Sequence, residues 1–332
     1  MTITTLKDAP HLYQATLSLI EKSFGYERPN SFAEDFAPLI SKNNFHHNFI
    51  KIDEKENVIA HIGLSERDIL GFKVAMLGGI AVDESQRGAG HFQDLFQEVI
   101  SEKKSDVAFF LLWSDQEKLY KKFGFYLCGT QYEVSKPLGT INFKKTKLNQ
   151  LDSEKLNQIK NLYKNSFSTT YATAERTESD WNEILKISSA DLFIRENSNL
   201  ITDYFFMNKG QDLSGIIYEY GSTGDIKHLI QEIAVQGKVW VGDILGDIGE
   251  AQFQFFLSPG STRLFSAFIS KFTDMKINVL QVNSMKQEVY FDFNQEVLSL
   301  EVEEFLRGIF GPGIFEELGT IPSLFISGLD SI

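Results

Sequence analysis

Residues 74–103 read VAMLGGIAVDESQRGAGHFQDLFQEVISEK, with strand, turn and helix signals in direct succession. Val74 to Val82 carries almost no charge, and Ile80 and Val82 fall at strand alternation, which predicts a buried strand. Asp83, Glu84 and Ser85 end it. Gln86, Arg87, Gly88, Ala89, Gly90 and His91 then form a turn with two glycines, and Phe92, Leu95, Phe96, Val99 and Ile100 follow at the spacing of one helix face. A glycine turn feeding a helix start leaves backbone N–H groups unpaired, with the positive end of the helix dipole behind them. Phosphate is the natural ligand of such a turn. Glycine removes the Cβ that would hold an anion off, and Arg87 adds a permanent positive charge. The turn by itself equally suits a helix that is merely capped.

Spacing separates the known phosphate loops. A nucleotide P-loop needs Lys and then Ser or Thr after its last glycine, where this chain has His91 and Phe92. A dinucleotide fingerprint needs a third glycine, which is missing. The turn resembles the coenzyme A pyrophosphate loop of the GNAT N-acetyltransferases: Gln or Arg, two variable residues, Gly, one variable residue, then Gly or Ala. Arg87, Gly90 and the intervening Gly88 fit, and Phe92 departs from the last position. The preceding GGIAVDESQRGAG and the later LYKKFGF are similar to the same family. The resemblance is good over about residues 1 to 135 and weaker beyond.

The resemblance implies an α/β (α+β) GNAT acyl-CoA N-acyltransferase fold, a mixed, mostly antiparallel sheet flanked by helices, with two such domains in tandem. Residues 1–135 are expected to form the acetyl-CoA-binding domain, 136–150 a linker, and 151–332 a degenerate GNAT-like domain with a tail. Ile80, Ala81 and Val82 are implied to hold the pantetheine arm where the strand at Val107–Trp113 splays away. Gln86 to His91 are implied to hold the pyrophosphate. Tyr120 matches the family's tyrosine that protonates the leaving thiolate, and a phenol, neutral at working pH, suits that task. The base is expected to be a carboxylate or histidine; Glu66 is preferred over His61 and Asp115. The implied reaction is direct transfer of acetyl from acetyl-CoA, as co-substrate, to a primary amine of a small molecule or peptide. A non-catalytic acyl-CoA-binding regulatory module, or a structural protein with relic loops, are the alternatives.

Composition bounds the partners. A chain of 332 residues with 42% hydrophobic and 13% aromatic content has material for two cores. Its net charge of −13 argues against a nucleic-acid surface, which needs accumulated Lys and Arg. Cys128 is the single cysteine, so no internal disulfide forms and a reducing, cytoplasmic setting is expected. Six scattered histidines offer no metal-ligand spacing, and neither a signal-peptide core nor a membrane-length apolar stretch is evident. Nothing in the sequence indicates an oligomeric state.

In chain order, Tyr13 to Phe24 and Phe32 to Ile40 read as helices, Phe49–Asp53 and Val58–Ser65 as strands, and Ser114 as the cap of a short helix with Glu117 as its capping-box partner. The later half repeats this order, with strands at Asp191–Arg195, Leu200–Met207 and Leu213–Glu219. There Asp225 is expected to cap the helix that stands in the place of the anion turn. Past Gly242 the order is open, with a helix read at Ser299–Phe310. The tail from Ile321 to Ile332 is too apolar to be left in solvent, and in some tandem relatives the chain end reaches the active site.

Overall fold

The computed structural model describes residues 1–245, 250–313, 315, 318 and 321–332. Its strands are β1 (Thr2–Thr5), β2 (Asn48–Ile52), β3 (Val58–Ile69), β4 (Phe72–Val82), β5 (Phe109–Leu112), β6 (Tyr126–Val134), β7 (Lys144–Thr146), β8 (Tyr171–Ala172), β9 (Asp191–Asn197), β10 (Leu200–Met207), β11 (Ile216–Ser222), β12 (Lys238–Val241), β13 (Gln252–Pro259), β14 (Ile277–Asn283), β15 (Glu288–Phe293), β16 (Glu296–Glu301) and β17 (Ser323–Leu324). The helices are α1 (Tyr13–Ser23), α2 (Phe32–Asp35), α3 (Ala37–Ile40), α4 (His91–Lys103), α5 (Glu117–Tyr120), α6 (Ser153–Leu162), α7 (Ser168–Thr170), α8 (Glu178–Ile184), α9 (Ile226–Ile233), α10 (Thr262–Phe272) and α11 (Val302–Phe310).

Twelve strands join one mixed, mostly antiparallel sheet in the order β1-β2-β3-β4-β5-β13-β6-β12-β11-β10-β9-β7. The expected meander is present as β2-β3-β4, antiparallel throughout. After α4 the chain returns as β5, parallel to β4. The order β9-β10-β11-α9-β12 repeats β2-β3-β4-α4-β5, and β11 and β12 are again parallel. A crossover helix is what a parallel pair requires, so each half acquires one where its third strand ends.

The connection between the halves runs through a strand from late in the chain. β13 lies antiparallel between β5 and β6, with Phe256 opposite both Leu112 and Leu127. Its run QFQFFLSP has buried Phe255, Phe256 and Leu257, so this central strand is apolar on both faces. Behind it, α10, α11 and the meander β14-β15-β16 share one core, where Phe268 packs on Phe109 at 4.8 Å and Phe291 on Phe305 at 5.0 Å.

Local expectations fail where tertiary pairing competes. Ser299–Glu301, read as helix, are the end of β16, because each pairs with β15, and the helix starts only at Val302. Ser114 does not cap α5: that helix starts at Glu117, and the Ser114 hydroxyl accepts from the Gln116 N–H at 3.0 Å instead. Thr2–Thr5 form β1, an edge strand on β2 that so few residues do not announce.

Residues 323–330 are tied to the later half by buried charge. The Arg176 guanidinium donates to Glu219 at 2.5 Å and Asp330 at 2.7 Å, with all three side chains fully buried. It stacks 3.8 Å above the Tyr163 ring, and Glu219 also accepts from Tyr204 and Ser327. Removing the shared cation leaves two carboxylates without charge compensation inside the protein, which costs roughly 3–5 kcal/mol for a buried pair. Arg176→Met is therefore expected to lose about that much unfolding free energy in urea titration; a loss under ~1 kcal/mol would show that the cluster is not held as described.

Candidate functional site

β4 and β5 hydrogen-bond through Ala75, Met76 and Leu77 opposite Phe110, Leu111 and Leu112, and there the pairing ends. Beyond it the two chains form opposite walls of a cavity of about 660 Å³. One wall is Gly78, Gly79, Ile80, Ala81 and Val82, and the other is Trp113, Ser114, Asp115 and Gln116. The gap exists because β5 ends at Leu112 and turns into α5.

The glycine turn closes one end of this cavity. Gly90 stands at the N-cap of α4 with φ +82°, and no side chain caps the helix. An L-residue in that conformation costs about 1–2 kcal/mol, so the glycine serves the backbone shape; a Cβ there would meet nothing within 4 Å. Asp94, the acid of the first turn, is drawn to Lys51 at 2.6 Å, so the helix does not neutralise its own terminus. His91 is only 8% exposed, and its Nδ1 is buried without a hydrogen-bond partner. Gln86, Arg87, Gly88, Gly90 and His91 line the cavity, whereas Ala89 is exposed and off it. Phe92 sets its ring edge-on to Tyr120 at 6.0 Å and to Phe123 at 5.4 Å. Unfilled backbone donors, an unpartnered imidazole nitrogen and Arg87 together fit a phosphate-bearing group such as the pyrophosphate of an acyl-CoA.

Tyr120, at the end of α5, faces the same cavity. Burial pushes its phenol up to about 12, with a Ser114 hydrogen bond opposing and Asp115 reinforcing the shift. It is protonated at neutral pH and can give a proton or a hydrogen bond.

The other predicted residues are distributed differently. Glu66 is not among the residues lining this cavity; it borders a separate cleft with Arg67, Lys73, Arg176 and Asp180. Burial raises its carboxyl, but the Lys73 hydrogen bond and the charges of His47, Lys73 and Lys103 outweigh that and hold it below the ordinary glutamate value. The structure thus separates Glu66 from Tyr120 and makes it a weaker base. His61 is fully buried behind β4, with Nδ1 at 2.7 Å from the Gly79 carbonyl and Nε2 at 2.9 Å from Asn48 Oδ1. Asp115 lines the cavity beside Tyr120. Cys128 is buried and its thiol is pushed far up by burial, as befits a packed residue. In the later half Asp225 accepts from the Lys227 N–H, so α9 is capped where α4 is open.

The opposite end of the cavity is formed by Ser23, Phe24, Phe32, Phe36, Asp212 and Ile332, which no local motif announces. Ile332 lies on β4: a Cβ on Gly78 would stand 2.5 Å from its carbonyl carbon. The buried ammonium of Lys209 donates to the Gly328 and Ser331 carbonyls at 2.6 and 2.7 Å and sits 4.4 Å over the Phe36 ring. Desolvation lowers Lys209 to about 7, against the pull of Asp330, Asp35 and Asp212.

Among the described residues no helix is long and apolar enough to cross a membrane, and no three His, Cys, Asp or Glu side chains gather as a metal site. Residues 8–128 match the profile of a family described as an acetyltransferase (GNAT) domain. No curated protein matches the sequence. Among solved structures, the chain is similar to a protein of unknown function from Enterococcus faecalis V583 described as a probable N-acyltransferase. The TM-score is 0.60 at 13% identity, over 90% of this chain and 84% of that one. A GCN5-related N-acetyltransferase from Anabaena variabilis ATCC 29413 gives 0.55 at 13% identity, over 90% and 85%. Eis1 from Mycobacterium abscessus gives 0.54 at 10%, over 91% and 85%. These similarities show the fold.

Two outcomes follow from the residues around Ile332. Gly78→Ala must displace the Ile332 main chain and is expected to cost about 1–3 kcal/mol, as overpacking does, read by urea denaturation. Because the folded protein binds the Lys209 proton more weakly than the unfolded chain does, its buried charge penalises folding at low pH. That penalty is relieved as pH rises from about 7 toward the ordinary 10.5. Unfolding free energy should climb across that window in the natural protein, and Lys209→Met should flatten the climb; identical slopes would refute the assignment.

Proposed function

In a chain that carries a GNAT acetyltransferase domain over residues 8–128, we propose that the β4–β5 cavity transfers an acetyl group from acetyl-CoA to a primary amine by direct attack. The observation that carries this reading is one cavity uniting the unpaired end of β4, the uncapped N-terminus of α4 and the protonated Tyr120. Residues 1–135 act as the cofactor-binding unit. Residues 136–150 are the link. Residues 151–332 are a second, GNAT-like unit that no longer binds the cofactor, a reading supported by its repeated strand order and its Asp225 cap.

Acetyl-CoA supplies an activated acyl group when bound. Gln86, Arg87, Gly88, Gly90 and His91 bind its pyrophosphate, and the backbone of Ile80 and Val82 pairs with the pantetheine amides in place of the missing strand partner. The acceptor nitrogen attacks the thioester carbon as the C–S bond breaks; the electron pair goes to sulfur, which takes a proton from Tyr120, while the nitrogen loses one to solvent water and the Tyr120 phenolate regains one from it. Tyr120 near 12 is a weak acid beside a thiol of about 8.5, so it acts first as a hydrogen-bond donor to the departing sulfur and delivers its proton as the amine proton is released. The acceptor enters past Phe24, Phe32, Phe36 and Asp212, an aromatic and acidic wall suited to a cationic amine.

Calorimetric titration of acetyl-CoA into the natural chain and an Arg87→Ala, Gly90→Val variant tests the cofactor assignment. Micromolar-range binding by the natural protein and at least roughly tenfold weaker binding by the variant are expected. With an amine panel and a thiol-release readout, Tyr120→Phe is expected to lower kcat by about 10²-fold. No binding by the natural chain would end the proposal; binding without turnover would leave an acyl-CoA-binding module.

A further inference from the structure

The strand that walls the cavity contains an irregularity, and a buried histidine that the reaction does not otherwise use lies in contact with it. Along β3 and β4, His61 pairs with Ala81 and Gly63 with Gly78, so the single residue Ile62 faces two, Gly79 and Ile80. This is a β-bulge, and Gly79 adopts φ +58° within it. The Gly79–Ile80 peptide is trans, which points the Gly79 carbonyl and the Ile80 N–H in opposite directions within one plane. The carbonyl points to His61 Nδ1, 2.7 Å away. The N–H of Ile80 therefore points away from His61, and Ile80 lines the cavity.

His61 is itself held rigidly. Its ring is fully buried, and its Nε2 faces Asn48 Oδ1 at 2.9 Å. The Asn48 amide nitrogen donates to the Leu39 and Asn44 carbonyls at 2.9 and 2.8 Å, which fixes which way that side chain faces. Burial pushes the imidazole down to about 4, so one proton remains on the ring at neutral pH. The Gly79 carbonyl and Asn48 Oδ1 both only accept, so the one proton serves a single one of them, and the shorter contact is the one from Nδ1 to Gly79. With the proton on Nδ1, turning the Gly79 peptide over would strand it inside the core, where an unmade hydrogen bond costs about 1–3 kcal/mol.

We propose that His61 is a positioning residue: by holding the Gly79 carbonyl through Nδ1–H it presents the Ile80 N–H to the thioester carbonyl oxygen, where negative charge develops as the amine attacks. This rests on the proposed acetyl transfer, with the Ile80 carbonyl and the Val82 backbone left to pair with the pantetheine amides. Preorganised donors of this kind act in the transition state and cost no reorganisation when the charge appears.

The test uses acetyl-CoA labelled with carbon-13 at the acetyl carbonyl, bound to the full chain and observed by NMR, so that no acceptor is needed. The carbonyl resonance is expected to move downfield on binding to the natural protein, and the movement should be lost in His61→Leu. It should be retained in His61→Asn, whose amide nitrogen reaches the place of Nδ1, and lost in His61→Gln, whose amide lies farther out. Nitrogen-15 spectra should show the Nδ1–H form of His61. With a competent amine, His61→Leu should lower kcat on the order of 10- to 100-fold, with KM for acetyl-CoA changed less than about threefold. If acetyl-CoA binds and the carbonyl shift is the same in the natural protein and His61→Leu, or in His61→Asn and His61→Gln, this inference is wrong and the acetyl-transfer reading stands. An Nε2–H tautomer overturns it as well. Failure of acetyl-CoA to bind the natural chain overturns both.

Discussion

The site depends on how little of β4 and β5 is paired. Three residue pairs hold the two strands parallel, and past them β4 keeps β3 on one side but has no strand on the side of β5. A strand edge inside a protein is expensive unless its N–H and C=O groups find partners. In this fold the free stretch opens to a cavity that a peptide-like ligand arm can enter and pair with. Around that interruption lie the bulge at Gly79, the turn that opens α4, and Tyr120 on the short helix after β5.

The interruption is stable because the outer edge of β5 is not free. β13, drawn from more than a hundred residues later in the chain, pairs with β5 on one side and β6 on the other. Its apolar faces are covered by the core containing Phe268, Phe305 and Phe310 behind it and by Phe110 and Phe125 in front. The late part of the chain thus braces the sheet that carries the cavity. It also closes the cavity from the far end, since the Arg176 cluster and Lys209 hold residues 327–332 across the two halves and set Ile332 against Gly78. Buried ionic groups of this kind add little net stability over apolar packing, but they tolerate only one arrangement of the groups around them.

The charge pattern divides the two similar halves. In the first, Lys51 removes Asp94 from the terminus of α4, and no side chain fills the helix start. In the second, Asp225 fills it. One backbone plan therefore yields an uncapped helix start in one place and a capped one in the other.

What the residues determined by themselves was local. The apolar run at 74–82, the two glycines of the turn and the helical spacing from Phe92 to Ile100 specify strand, glycine turn and helix, because propensity, φ and hydrophobic period act over neighbouring residues. Asp225 as a cap and Cys128 as a packed residue were equally legible, and so was the paired repeat of strand order. What only the tertiary structure decided depends on strand register and on distant chain. His61 and Glu66 lie on the same strand, and nothing in their sequence context tells a buried ring bonded to a bulge from a carboxylate neutralised by Lys73 and Lys103. Ser299 to Glu301 have helical periodicity, but the free edge of β15 takes them as strand. Asp212, Phe24 and Ile332 meet in one cavity although they lie far apart in the chain, since burying the apolar tail required a groove that exists only once both halves have packed.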